Sequence, residues 1–317
     1  MSRLRRLATA VAFLPMLAAA ACGGPSPAPA ADAGTPSAVP SVGQVPVLDS
    51  ANDRPLPLDS YLLTPAQEAL VIGTQQRLLA QCAARFGLTY TMPDAVPRDS
   101  DAPTTRVDGR YGHQSARLMA VWGYHPEGGL RAGQNRWSAG VDTTLPGAAA
   151  AMTGSDGSGS KFGPGGQVVN GQVVPDHGCA GEAMKALTGS LGGRLGNAQI
   201  AEDLKLDTLR RSQDDPRTRA VFALWSACMK ESGFDYPDPV AALTDPEWSR
   251  TPLPGEHELR VARADAECRH RHNVVGVWYA VDFAAQEQAV REHADALAAA
   301  RAAVAAQVAA AQRVASG

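Results

Sequence analysis

Cys268, His270 and His272 are the closest grouping of metal-binding residue types in this 317-residue chain. On a helix, positions two apart point about 200° apart, so His270 cannot converge with either neighbour. Cys268 and His272 can share a face, but Cys268 is needed for a disulfide, as argued below. The histidines therefore read as exposed helix residues, with no metal and no cofactor implied. A serine hydrolase of the elbow type needs Gly-x-Ser-x-Gly, which neither Gly157-Ser158-Gly159 nor Gly189-Ser190 supplies. Gly159-Ser160-Lys161 lacks the spacing and the preceding strand of a phosphate-binding loop. Asp214 and Asp215 are neighbours at an expected helix start, where capping accounts for them. Glycosidase carboxylates are brought together by the fold, so no spacing reveals them. No catalytic residue is assigned, and an enzyme is the lesser reading.

One cysteine stands apart from the other four. Arg3, Arg5 and Arg6 precede an uncharged apolar run, Leu7 to Ala21, which ends in small residues directly before Cys22. That is the layout of an export signal, and the run is short for a membrane-spanning helix. Small residues followed by cysteine resemble the lipobox of bacterial lipoproteins, with Ala19 where Leu is usual. The resemblance implies a diacylglycerol on Cys22, palmitate-type acylation, and a mature chain starting there at the outer face of the plasma membrane. Arg5-Arg6 also resembles a twin-arginine signal, but Ala8-Thr9 do not supply the apolar pair that should follow. Losing the three leader arginines takes the formal charge from −3 to −6. An acidic mature chain is poorly suited to nucleic acid or anionic lipid. The partners expected are the membrane, through the lipid, and an envelope protein or cell-wall component.

Cys82, Cys179, Cys228 and Cys268 remain, an even set in an exported chain. Four cysteines allow three pairings. Internal comparison favours one. LLAQCAARFGLTYTMPD around Cys82 parallels LWSACMKESGFDYPDP around Cys228. Gly87 matches Gly233, Leu88 matches Phe234, and Tyr90 matches Tyr236. Each glycine falls where a helix C-terminus needs a left-handed residue. Each unit then has one later cysteine, so the duplication predicts Cys82–Cys179 and Cys228–Cys268. The segment Cys228-Met229-Lys230, then Gly233 and Pro237-Asp238-Pro239, is similar to the Cys-Met-(Arg/Lys)…Gly…Pro-Asp-Pro motif of uncharacterised actinobacterial secreted lipoproteins. That resemblance covers residues 216–290 well. It implies a location and a disulfide, and no activity.

The elements that must position these cysteines are helical. Thr64-Pro65-Ala66-Gln67 is a capping box with Pro at the first position. Further helices are expected over 114–124, 181–191, 197–212 and 216–232, and from Glu256 on with a bend at Asn273 or Gly276. The alanine-rich stretch from Asp295 to Ser316 should end the chain as a long helix. Val168-Val169-Asn170-Gly171-Gln172-Val173 reads as a type I′ hairpin. Ser155 to Gly166, nearly all Gly, Ser and Pro, should be mobile.

The organisation expected is a signal peptide (1–21), a disordered tether (22–57), a first helical unit with the hairpin insertion (58–212) and a second helical unit (213–317). The fold class is mainly α: two disulfide-tied helical units, a small β-hairpin insertion and a long C-terminal helix. The most aromatic and polar part of the insertion holds Arg110, Tyr111, His113, Trp122 and Tyr124, where a ligand site is expected first. Function is read as a membrane-tethered, non-catalytic binding or accessory module. The alternatives are a lipoprotein that captures a small molecule and, less favoured, a cell-wall hydrolase.

Overall fold

The computed structural model describes residues 41–52, 54–91, 110–112, 115–130, 140–157 and 161–316. Cys22 and His113 lie outside them. Of the described residues 62% are helical, in ten α-helices and two short 3-10 turns, with one two-stranded antiparallel hairpin among them.

The first disulfide joins α1 (Pro65–Arg85) to α4 (Gly178–Thr188) through Cys82 and Cys179. The second joins α6 (Pro216–Glu231) to α8 (Glu256–Arg271) through Cys228 and Cys268. α1 starts as its sequence dictates. The Gln67 N–H donates to Thr64 Oγ1 at 3.2 Å, and the Thr64 N–H donates to Gln67 Oε1 at 2.8 Å.

The two cysteine-bearing helices end in the same way. The Gly87 N–H donates to the Ala84 carbonyl (3.0 Å) and the Leu88 N–H to the Ala83 carbonyl (3.1 Å). The Gly233 N–H donates to Lys230 (3.0 Å) and the Phe234 N–H to Met229 (2.9 Å). Both are Schellman caps with a left-handed glycine, φ +68° at Gly87 and +87° at Gly233. The apolar residue after each glycine turns back onto the core: Leu88 is buried and Phe234 is partly buried against it.

Each tied pair is covered by a third helix, and both covers come from the C-terminal end. α9 (Val274–Glu292) packs on α6 and α8; α10 (Ala294–Ser316) packs on α1 and α4. α5 (Gln199–Asp214) lies against α9. The units are therefore interleaved, and the structure does not divide at residue 212. Tyr111, Met119 and Tyr124, from the sequence of the first unit, belong to the aromatic core around Cys228–Cys268, with Trp225, Trp278 and Phe222. In turn, α10 contributes Val304, Ala310 and Ala311 to the cluster with Leu63, Val71 and Leu187. By length and apolar composition α10 could cross a bilayer. In the structure it lies along the body, with Leu297 buried and Gln307 bonded to both backbone groups of Gly196.

Three local expectations change. Leu48, Ala51 and Leu56 are buried, so the ordered body begins well before residue 57. The composition of 41–56 resembles the preceding spacer, and only the receiving surface distinguishes it. Gly163, Gly165 and Gly178 pack backbone on backbone, where a Cβ would meet Gly154, Pro175 and Ala151 respectively. Those glycines serve close approach, and the His177 N–H donates to the Gly163 carbonyl at 3.0 Å. Two short helices arise where none is expected, α3 (Ala148–Thr153) and α7 (Pro239–Leu243), the latter capped by Asp238. α2 (Ala116–Trp122) opens at Ser115.

The hairpin pairs β1 (Val168–Val169) with β2 (Gln172–Val173), in the register Val168↔Val173 and Val169↔Gln172. Asn170 and Gly171 both have positive φ, +48° and +78°, as a type I′ turn requires. The hairpin is supported by Val169 in the first disulfide's core and by Asn170 Nδ2, which donates to the Phe86 carbonyl at 2.7 Å.

Candidate functional site

Arg110, Tyr111 and Tyr124, three of the residues expected to line a ligand site, are buried inside the protein. Arg110 is buried and donates from Nε to Asp282 Oδ2 (2.5 Å) and from Nη2 to Asp282 Oδ1 (3.0 Å), the Lys205 carbonyl (2.6 Å) and Thr208 Oγ1 (3.1 Å). The Tyr111 hydroxyl donates to Asp282 Oδ2 at 2.7 Å. Gln286 Nε2 donates to Asp282 Oδ1 at 3.1 Å, and its Oε1 accepts the Leu58 N–H at 3.1 Å. Lys205, wholly buried, pairs with Asp59 beside this network. Burial opposes the charge on Arg110, but Asp282 outweighs it and raises proton affinity. Burial, then Asp282, pushes the Tyr111 hydroxyl far above its ordinary range. For Lys205 burial prevails over Asp59, and the pKa falls.

Tyr124 enters a second network. Its hydroxyl donates to Asp265 Oδ2 at 3.0 Å, while Asp265 Oδ1 accepts from Trp225 Nε1 (2.8 Å) and Arg269 Nε (2.7 Å). Arg269 Nη1 in turn donates to the Tyr111 carbonyl at 2.6 Å, which links the two networks. Burial, then Asp265, raises the Tyr124 pKa beyond any accessible pH.

A third cluster sits next to it. Glu258 Oε1 accepts the Tyr124 N–H (2.7 Å) and faces His125 Nδ1 (2.8 Å), whose Nε2 faces the Thr251 carbonyl (2.8 Å). Both ring nitrogens face acceptors. Gly123, at φ +58°, is required here because a Cβ would collide with the Glu258 carboxylate.

These charges cross-link helices. Arg110, Tyr111 and Tyr124 spend their polar atoms on Asp282, Asp265 and backbone carbonyls, and Trp122 is partly buried on α2. None of the four lines the groove between α6 and α7 or the pocket by Leu48 described below. Arg110, Tyr111 and Tyr124 thus stand in the core where a ligand site was expected, and Trp122 stays half-buried on α2. Their polar–aromatic character serves a core that must bury charge with its partners in place.

The sequence did carry a signal for the partners. Asp282 is the only charged residue between Val274 and Ala285, and such an acid must be buried and paired. Asp265 and Arg269 have helical i,i+4 spacing. What the sequence could not show is that residues 110–125 would meet them.

No protein-family model, curated protein or solved structure matches the chain.

Two surface features remain. One is an open groove of about 510 Å³ between α6 and α7, lined by Asp214, Arg219, Phe222, Asp238, Val240 and Thr244. The Pro237-Asp238 step of the second duplicated unit forms one wall, so a segment notable in the sequence reaches a surface. The other is a void of about 140 Å³ beneath Leu48 and Asp49, bounded by Met119, Arg269, His270 and Val275. Cys268 is in its disulfide and the ring of His270 faces Asp49 at 2.6 Å, so this stretch is committed to structure.

Proposed function

We propose that this chain is an extracytoplasmic lipoprotein, anchored through Cys22 to the outer face of the plasma membrane. It serves the cell envelope as a non-catalytic binding or accessory module. The observation that carries the reading is the pair of disulfides, Cys82–Cys179 and Cys228–Cys268, each within a matching helical unit. Such bridges fit an oxidising compartment. They consume four cysteines and leave Cys22, at the end of the leader-like segment, as the thiol for a lipid. The saturated polar groups of Arg110, Tyr111 and Tyr124 favour a partner surface elsewhere, and the groove between α6 and α7 is its best location.

The test is a Cys22→Ala variant compared with the native chain for palmitate incorporation and membrane fractionation. Native protein is expected to take up label and sediment with membranes, and the variant to do neither. Equal sedimentation of both, without label in either, would overturn the anchor. For the partner, affinity purification from solubilised membranes is compared between the native chain and Arg219→Glu. Loss of a stoichiometric partner or of wall binding in the variant supports the groove, and no partner with either chain refutes the module reading.

A further inference from the structure

The segment from Pro46 to Leu56 precedes both disulfide units and is held mainly by its backbone. Asn273, at the break between α8 and α9, has φ +50°, a value that Asn tolerates better than most L-residues. Its side-chain amide reads the segment's main chain. Oδ1 accepts the Leu48 N–H at 2.9 Å, and Nδ2 donates to the Pro46 carbonyl at 2.8 Å. These are the groups a neighbouring strand would otherwise pair. Gly276 provides the clearance, because a Cβ there would fall on the Pro46 carbonyl oxygen and the Asn273 amide.

Side-chain support is thin by comparison. Val47 is 83% exposed and Val45 is 40% exposed. Leu48 and Ala51 are the buried side chains of residues 46–52, both in the aromatic core, and Leu48 borders the 140 Å³ pocket. Asp49 and His270 are paired at the surface, each 70% exposed. Firmer attachment comes later: Leu56 is buried, the Tyr279 hydroxyl donates to the Pro55 carbonyl at 3.2 Å, and the Leu58 N–H bonds Gln286. Few buried apolar contacts and partly exposed hydrogen bonds mark a segment that opens before the body does.

We propose that Asn273 and Gly276 form a notch that docks and releases residues 46–52 as a unit, giving the chain between Cys22 and the body two lengths. The length consequence rests on the reading of Cys22 as the lipid site. Docked, the body begins at Pro46. Released, it begins beyond Asn52, and the seven residues add about 23–25 Å of contour. The occupant is the chain's own tether, and the notch recognises it by backbone groups that nearly any extended segment offers.

Hydrogen exchange on the full mature chain tests this, comparing the Leu48 amide with the Leu58 amide. Leu48 is expected to exchange at least 100-fold faster, by an opening insensitive to low denaturant. Asn273→Ala should speed Leu48 at least tenfold further and leave Leu58 unchanged. Gly276→Ala should act in the same direction. If that variant does not fold, Asn273→Gly, which removes the amide and accepts the positive φ without strain, still decides the matter. Exchange of Leu48 and Leu58 together, or Leu48 protection unaffected by Asn273→Ala, would overturn the notch. A chain that takes no palmitate but shows the expected exchange keeps the notch and loses the two-length tether.

Discussion

Arg110 and Asp282 form a buried ion pair with two hydrogen bonds, from the loop before α2 to the middle of α9. The pair ties residues distant in sequence, and Tyr111 and Gln286 donate to the same carboxylate. Removing one partner leaves the other charge uncompensated in the core. Asp282→Ala should cost about 3–5 kcal/mol, and a volume-matched apolar double replacement of Arg110 and Asp282 should recover most of it. Urea unfolding with disulfides intact measures both. A loss under 1 kcal/mol for the single variant would show that the pair contributes little.

The matched caps predict matched costs. Open space surrounds Gly233 and only an ordinary contact borders Gly87, so alanine at either is penalised through φ alone. Each variant should lose about 1–2 kcal/mol, and the double variant their sum, because the caps lie in separate clusters. Thermal melts of the three variants check this, and a strongly non-additive double would argue that the caps share a core.

The bridges close loops of 97 and 40 residues. Chain entropy gives about 4.7 and about 4 kcal/mol for loops of those lengths. Replacing Cys82 and Cys179 together by alanine should therefore destabilise at least as much as replacing Cys228 and Cys268. Denaturant midpoints at equal slope decide the order.

His270 lends the docked segment a pH dependence. Hydrogen bonding and charge from Asp49 raise its pKa above the ordinary 6.5. Protonation adds charge to the contact, and that contribution is fully present below about 6.5 and is lost as pH rises through the raised folded value. The neighbouring cations are engaged elsewhere, Arg269 with Asp265 and Arg271 with Glu231 and Glu267. Leu48 protection, corrected for intrinsic exchange, should fall from pH 6 to pH 8 in the native chain and stay level in His270→Ala. A level native profile would remove His270 from the account.

Much of the fold was legible because it rests on local rules. The box at Thr64 and Gln67, the glycines at 87 and 233, and the Asn170-Gly171 turn each act within a few residues. The disulfide pairing was legible because the duplication repeats those signals around Cys82 and Cys228. Hidden were the relations that only tertiary approach creates. Arg110 and Tyr111 look like binding residues until Asp282 is placed against them. Asn197 has a capping residue's chemistry, but its Oδ1 accepts the Leu63 N–H at 2.7 Å instead. Residues 46–52 read as spacer because the surface that orders them lies more than 200 positions away.

The placement of α10 on α1 and α4 sets an order of assembly. The apolar surface of α1 and α4 is closed by Val304, Ala310 and Ala311, which are synthesised more than a hundred residues after Cys179. Until they are made, Leu63, Val71 and Leu187 lack the side chains that pack on them. Closing contacts so distant in sequence is slow. A chaperone or a partner that shields that surface would act on helices made well before the one that covers them.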